Sequence, residues 1–487
     1  MSPRPLRICF VAYRGNMRCG GQGIYLWHLA RELSRSGHRV DVLVGPPYPD
    51  PMPFARSVQA LPDEEFWGKW FSRDFSGFLP DPPRRVFHPL QFYELGASRL
   101  GFLPEPFAAS VRALGAYARR LRKGERFDIV HDVQCLGWGL LGIRALGAPI
   151  VTTVHHPLSV DRRASFVRDR GFRDALGTMT FYPIGMQSFV ARRLDRVITS
   201  SEASAAHISR DFGVDPGRIR MLGNGLDTAR FHPDPEQPRE PGELLCVGRA
   251  SDPNKGISVL VEALARLPRE VHLTLVDRDS AEHETRRQAR ALGCADRLRI
   301  TGPLSQEGLV AAYRRASLAV VPSVFEGFGL PAAEAMACGT PVVATRAGAL
   351  PEVIATGGGG LLVDPANPDA LAKGIATLLE QPATRAELSA RAPGRIARAY
   401  SWERIAERTV EVYREVVSGR PARTTTSARV GQRRANQSSP PSTPSATPAG
   451  SRSTDRVHAG SPQASEMPTT ASTSMTRDAC SRIKGRS

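Results

Sequence analysis

The sequence predicts an α/β protein of two doubly wound halves, about 200 residues each, followed by an unstructured tail. Three observations carry that reading. Short apolar runs rich in Val and Ile alternate with longer segments of helical period, the pattern of parallel strands covered by helices. The alternation lapses near Asn224 and the proline-rich passage 233–241, then begins again. Beyond residue 418 large apolar residues nearly vanish.

The first half opens with a strand over 7–13, a glycine-rich loop from Gly15 to Gly23, a helix over 24–36 and a strand over 39–44. Strands over 127–133 and 149–154 flank a helix, and another strand covers 196–200. Residues 46–110 fit the alternation poorly. They are rich in Pro and aromatics (Trp67, Trp70, Phe71, Phe75, Phe78, Phe87, Phe92, Tyr93) and read as an insertion that covers a sheet edge or forms a lid. The second half runs strand 243–247, helix 257–267, strand 271–276, helix 280–292, strand 298–301, helix 305–316, strand 318–322, helix 331–338 and strand 341–345. Helices over 383–399 and 402–417 close it. In such sheets ligands bind beyond the carboxyl ends of the strands, which places a cleft between the halves.

Composition removes other classes. Hydrophobic residues are 41% and charged residues 23%, which suits a globular protein rather than a disordered or polytopic membrane chain. The formal charge of +17 points to an acidic partner. Residues 419–487 contribute +8 of it, with 30 of 69 residues Ser, Thr or Pro, and cannot bury enough apolar surface to order themselves. Only five of the 65 basic residues are Lys, so a Lys at a chemically meaningful place stands out. Seven scattered cysteines without a Cys-x-x-Cys pair suggest a reducing compartment and no structural zinc. With no signal-peptide core and no transmembrane run, the expected location is cytoplasmic, with peripheral contact on the inner face of the plasma membrane as an option.

The densest chemical signal runs from Pro322 to Pro341. A buried strand ends at Ser323, a loop Glu326-Gly327-Phe328-Gly329-Leu330 follows, and Pro331 opens a short helix that Gly339 closes. The amides of Gly327, Phe328, Gly329 and Leu330 would lie at the positive end of that helix, a seat for phosphate or a polarised hydroxyl. Glu334 leans back from the first turn towards Glu326. Two Glu eight apart occur four times in this chain, and the glycine-flanked setting after a buried strand singles out this pair.

Glu326 to Glu334, with Gly-Phe-Gly-Leu-Pro between, resembles the signature of the family-4 retaining glycosyltransferases of GT-B fold. Gly20-Gly21, Asn224-Gly225-Leu226-Asp227, Gly248-Arg249 with Lys255-Gly256, Gly339-Thr340-Pro341 and Gly348-Ala349-Leu350-Pro351-Glu352 match in order, over about 6–418. The resemblance implies a nucleotide diphosphate sugar (GDP- or UDP-linked) as co-substrate, no metal or other cofactor, and retention of anomeric configuration. It implies that Glu334 holds the ribose, Glu326 contacts the transferred hexosyl unit, Arg249 and Lys255 hold the diphosphate, and Gly20 and Gly21 face it from the opposite wall. His155, after strand 149–154, matches the histidine beside the reacting sugar, with the neighbouring His156 as the alternative register. Four segments follow: 1–220 on the acceptor side, 221–395 on the donor side, a helix over 396–418 returning to the first, and the tail 419–487.

Independent physics supports the two cations, because a departing nucleoside diphosphate gains charge in the transition state. The glycine loop also suits a plain structural turn, and His155 a hydrogen-bonded structural role. Asp132 is a weaker acceptor-side residue. Asp277-Arg278-Asp279 stands where the family has a glycine-containing turn, which leaves the base open. The acceptor is unidentified, a lipid or cell-envelope glycan precursor among the options. Trp67, Trp70, Phe71, Phe172, Phe181, Tyr182 and Phe189 with Arg192, Arg193 and Arg196 suit docking on an anionic membrane, and equally a core with solvated arginines. Rivals are a GT-B epimerase or phosphorylase and, remotely, a nucleic-acid-binding protein, for which no zinc-finger or RNP-like motif is present.

Overall fold

The computed structural model describes residues 4–17, 21–62, 84, 87–100, 102–155, 159, 183–278 and 283–419. Strands β1 (Arg7–Ala12), β2 (Arg39–Val44), β3 (Ser57–Ala60), β4 (Ile129–Val133), β5 (Ile150–Val154), β6 (Arg196–Thr199) and β7 (Ile219–Met221) form a sheet in the order β3-β2-β1-β4-β5-β6-β7. Strands β8 (Glu240–Val247), β9 (His272–Val276), β10 (Leu298–Ile300), β11 (Ala316–Val321), β12 (Val342–Thr345) and β13 (Gly360–Val363) form a second, in the order β10-β9-β8-β11-β12-β13. The pairings are parallel throughout, for example β1 with β4 and β8 with β11. Two doubly wound sheets are thus present, as the alternation predicts. Central strands such as β4, β5 and β11 are buried at every residue, because helices cover both faces.

The edges depart from expectation. β3 lies within the anticipated insertion and extends the first sheet beyond β2. The insertion then supplies helices Pro89–Arg99 and Glu105–Arg122. Trp67, Trp70, Phe71, Phe75 and Phe78, and the tail from 420 on, lie outside the described residues.

Helix Gly21–Arg35 and the final helix Trp402–Ser418 share one core against the first sheet, where Leu26, Leu29 and Leu33 meet Ile405, Val412 and Tyr413. Glu415 fixes the final helix further, accepting from Arg196 at 2.7 Å and from Arg220. The chain crosses between the lobes twice, and the crossings lie side by side: the Leu226 amide donates to Tyr400 O at 2.7 Å, and Leu226 bridges to Ser401. Gly225 permits this contact, since a Cβ there would lie 2.2 Å from the Trp402 ring. Among the described residues no helix is long and apolar enough to cross a membrane.

Both sheets change winding direction at a central pair of strands, β1/β4 in the first and β8/β11 in the second. Loops leaving the carboxyl ends of such pairs splay apart and open a crevice. Gly21 follows β1, Arg249 and Lys255 follow β8, and Glu326 follows β11, while His155 follows the neighbouring β5.

Candidate functional site

In the second lobe the loops after β8 and β11 are joined. Asp252 and Pro253 start a short turn that Lys255 ends, and Gly256 follows at φ 62° to open helix Ile257–Arg266. Only a residue without Cβ fits there, because a Cβ would lie 2.0 Å from Pro322 O. The Asn254 carbonyl accepts from the Val324 amide at 2.8 Å. The two loops therefore travel together, and Lys255 Nζ donates to Glu326 Oε2 at 2.8 Å. The Ser323 hydroxyl donates to the same oxygen at 3.2 Å. Gly348 packs on the backbone of Glu326, 2.1 Å from its carbonyl oxygen had it a Cβ, and the Ala349 amide donates to that carbonyl at 2.9 Å. Glu326 is thus held at its side chain and at its main chain.

Glu334 lies one turn into helix Leu330–Ala337 and accepts from the Tyr313 hydroxyl at 2.9 Å. Burial pushes its carboxyl up to about 7, against the lowering effect of that hydrogen bond. The helix has no side-chain cap; Pro331 carries no amide hydrogen, and the Ala332 and Ala333 amides donate to the Gly329 carbonyl at 3.0 and 3.1 Å. Phe328 is turned inward, 5% exposed and edge-on to Tyr400, which leaves its backbone as its contribution to the crevice. Arg249 is exposed after β8 and pairs with no carboxylate among the described residues.

Across the crevice, helix Gly21–Arg35 follows β1, with Gly20 outside the described residues. At Gly21 a Cβ would meet nothing within 4 Å, whereas at Gly23 it would lie 2.2 Å from the Asn16 carbonyl oxygen. Packing therefore demands glycine at position 23, while Gly21 faces open space. His155 directly follows β5 with its ring edge-on to Tyr25 at 4.5 Å, and its amide donates to Gln134 Oε1 at 3.0 Å. His156 lies outside the described residues. Beneath them, buried His131 bonds both Tyr413 and Thr153, and burial lowers its imidazole to about 3.

Asp132 is fully buried and accepts from the Thr152 hydroxyl at 2.7 Å and from the amides of Cys135 and Leu136. It shapes the turn that carries Gln134, and so supports His155 from below rather than meeting an acceptor.

The lobes touch at the loop 326–330 itself. The Gly327 carbonyl accepts from Ser200, Ser201 and Ser204 hydroxyls at 3.1, 2.9 and 3.2 Å. Glu352 accepts from the amides of Glu202 and Ala203 at 2.8 and 3.1 Å, capping helix Glu202–Phe212 from the other lobe. Among the described residues no group of three or more His, Cys, Asp or Glu could hold a metal ion.

The family model "Glycosyl transferases group 1" matches residues 227–395, and "Glycosyltransferase Family 4" matches 19–230. The chain is 37% identical over 416 residues to the MMP alpha-(1->4)-mannosyltransferase of Mycolicibacterium hassiacum, covering 85% of this chain and 99% of that one. The chain is a family-4 glycosyltransferase. The D-inositol 3-phosphate glycosyltransferase of Xylanimonas cellulosilytica is 30% identical, over 84% of this chain and 95% of its own. Among solved structures, a sucrose-phosphate synthase from Thermosynechococcus elongatus aligns with a TM-score of 0.63 at 25% identity, covering 86% and 100%. Anabaena HepE in complex with UDP-glucose aligns with a TM-score of 0.60 at 19% identity, covering 84% and 100%. The fold is GT-B.

In this family-4 glycosyltransferase the loops bring Lys255, Glu326 and Ser323 into one cluster, with Glu334 on helix Leu330–Ala337 and Tyr313 on helix Gln306–Arg315 beside it. Sequence reasoning missed Tyr313, Ser323, Glu352 and the serines at 200, 201 and 204. Glu352 was readable as part of the Gly348–Glu352 motif, but nothing local marks a serine whose partner is 123 to 127 residues away.

Proposed function

We propose that the chain is a retaining, metal-independent hexosyltransferase using a UDP- or GDP-sugar, with mannosyl the favoured unit. The observation that carries this reading is Lys255 Nζ on Glu326 at 2.8 Å, beside the uncapped start of helix Leu330–Ala337. An arriving diphosphate draws the ammonium to itself, with Arg249 and the amides of the loop 327–330 at the positive end of the helix as further positive groups. Glu326, still held by Ser323, then faces the sugar. Glu334 takes the ribose hydroxyls. The bond from C1 to the diphosphate oxygen breaks, the acceptor hydroxyl oxygen bonds to C1 on the same face, and its proton passes to the departing phosphate. Fixed cations meet the charge that grows on the leaving group, which is the electrostatic task a metal performs in other transferases. His155, beside Tyr25, and the Gly20-Gly21 loop form the opposite wall. The mannosyl preference rests on the relative that is 37% identical and matched over 99% of its length.

The test is transfer from a panel of nucleotide sugars by the purified full chain, with the anomeric configuration of the product read by NMR. Transfer with inversion, or turnover unchanged in Glu326→Gln, overturns the reading.

The acceptor has two supported forms. The name of the relative supports a carbohydrate hydroxyl. Phe87, Phe92 and Leu100 on the first lobe are 82%, 64% and 70% exposed and support a lipid-linked one, reached by peripheral docking at the inner face of an anionic membrane. Arg196 is committed to Glu415, and Arg193 stacks on Phe189 with its guanidinium 3.4 Å from the ring centroid, so both are spent within the fold. Trp67, Trp70, Phe71, Phe172, Phe181 and Tyr182 lie outside the described residues. Salt-sensitive co-sedimentation with anionic liposomes supports docking, and its absence at low salt refutes it.

A further inference from the structure

The residue that departs from the family turn has a task of its own. Asp277 directly follows β9 with its side chain only 7% exposed, and its carboxylate reaches across to the loop after β8, where Oδ2 accepts from the Ala250 amide at 2.7 Å. The same oxygen faces His283 Nε2 at 3.3 Å. His283 Nδ1 accepts from the Thr285 amide at the start of helix Glu284–Ala291. A ring nitrogen that accepts leaves the proton on the other, so Nε2 is the donor to Asp277. Thr285, His283, Asp277 and Ala250 thus form one chain of hydrogen bonds with its histidine 9% exposed.

That chain ends on the neighbour of Arg249. On the other side, the Gly248 amide donates to Val276 O at 3.3 Å, and the Arg249 carbonyl accepts from Asp252 at 3.1 Å. The exposed arginine is therefore clamped before and after, at the mouth of the crevice. Gly248 and Ala250 lack long side chains that could anchor the loop themselves. Asp277 supplies the anchor from the adjacent strand.

We propose that Asp277 and His283 are positioning residues that act through Arg249 to aim it at the donor diphosphate. The inference rests on the donor reading above, because it needs a diphosphate in that crevice. A residue acting through a second one has a distinct thermodynamic signature: once the second is gone, removing the first changes nothing more.

The experiment titrates the full chain with UDP and GDP by calorimetry, in wild type, Asp277→Ala, Asp277→Asn, Arg249→Ala and the double variant Asp277→Ala/Arg249→Ala. Asp277→Ala should weaken binding about tenfold, by leaving the half-buried Ala250 amide without its carboxylate acceptor and the loop that carries Arg249 without its anchor. Asp277→Asn, which keeps an acceptor oxygen for Ala250, should recover most of that loss. In the Arg249→Ala background Asp277→Ala should cost less than twofold, in nucleotide binding and in kcat alike. Unchanged binding in Asp277→Ala, or a double variant whose loss is the product of the single losses, overturns the inference alone. Wild-type protein that binds neither nucleotide overturns the donor reading and this inference with it.

Discussion

Glu334 should make donor binding pH-dependent in a range where an ordinary glutamate is silent. Burial raises its carboxyl from 4.5 to about 7 even though Tyr313 donates to it. The proposed ribose contact needs the ionised form, which accepts from both hydroxyls. The ionised fraction is about one-tenth at pH 6 and about nine-tenths at pH 8, so the apparent donor Kd should fall about tenfold between them. Glu334→Gln does not titrate. Its Kd should be flat with pH, and at pH 8 weaker than wild type by about 10–100-fold, the worth of roughly 1.5–3 kcal/mol of charge-assisted hydrogen bonding. Calorimetric titration from pH 6 to pH 8 with UDP-glucose and GDP-mannose, whose diphosphate diesters carry no group that titrates in this range, measures both. Stability moves in the opposite sense. A carboxyl whose value is raised by folding holds its proton more tightly when folded, so its contribution declines as pH rises from 4.5 to about 7. Glu334→Gln escapes that decline and should melt no lower than wild type at pH 8, which separates lost affinity from lost fold. A wild-type Kd flat across this range refutes the reasoning, and so does a slope that Glu334→Gln retains. A retained slope would point to Asp132, whose carboxyl burial also raises to about 7.

Three further outcomes follow from the same geometry. Lys255→Ala should lower turnover by about 100-fold or more in a steady-state transfer assay, since a fixed cation on a leaving group is worth that much. Glu352→Ala should free the first two amides of helix Glu202–Phe212, whose Ser201 cap remains, at a cost of about 1 kcal/mol, read as roughly fivefold faster amide exchange at Glu202 and Ala203. Gly225→Ala should lower the melting temperature, because its Cβ would meet the Trp402 ring and overpacking costs about 1–3 kcal/mol.

What the sequence made legible follows from the range of the interactions. Buried parallel strands such as Ala-Ser-Leu-Ala-Val-Val in β11 announce themselves as apolar runs, and the glycine loop with its two glutamates is a contiguous string. β3, Ser-Val-Gln-Ala, alternates half-exposed with exposed residues at a sheet edge, and β7 is three residues long, so neither has a run to read. Pairing with β2 and β6 selects them. Within the site, Lys255 and Glu326 were each visible, but their contact depends on Gly256 and Gly348 letting two loops approach within the space of a missing Cβ. Tyr313 carried no signal, because a tyrosine near the end of helix Gln306–Arg315 reads as core until Glu334 is seen beside it. Asp277 was visible only as an anomaly, and the hydrogen bond to Ala250 explains why a carboxylate is tolerated there.

The packing of the final helix also sets a timetable for synthesis. The first lobe is begun at β1, yet the apolar face of helix Gly21–Arg35 is covered by residues as late as Tyr413 and Val416. The strands from β8 to β13 are made in the interval and have their partners at hand. At about 5–20 residues per second, the stretch from β7 to the final helix takes on the order of 10–40 seconds to emerge from a ribosome. During that delay Leu26, Leu29 and Leu33 have no helical cover, so the lobe started first is the one finished last.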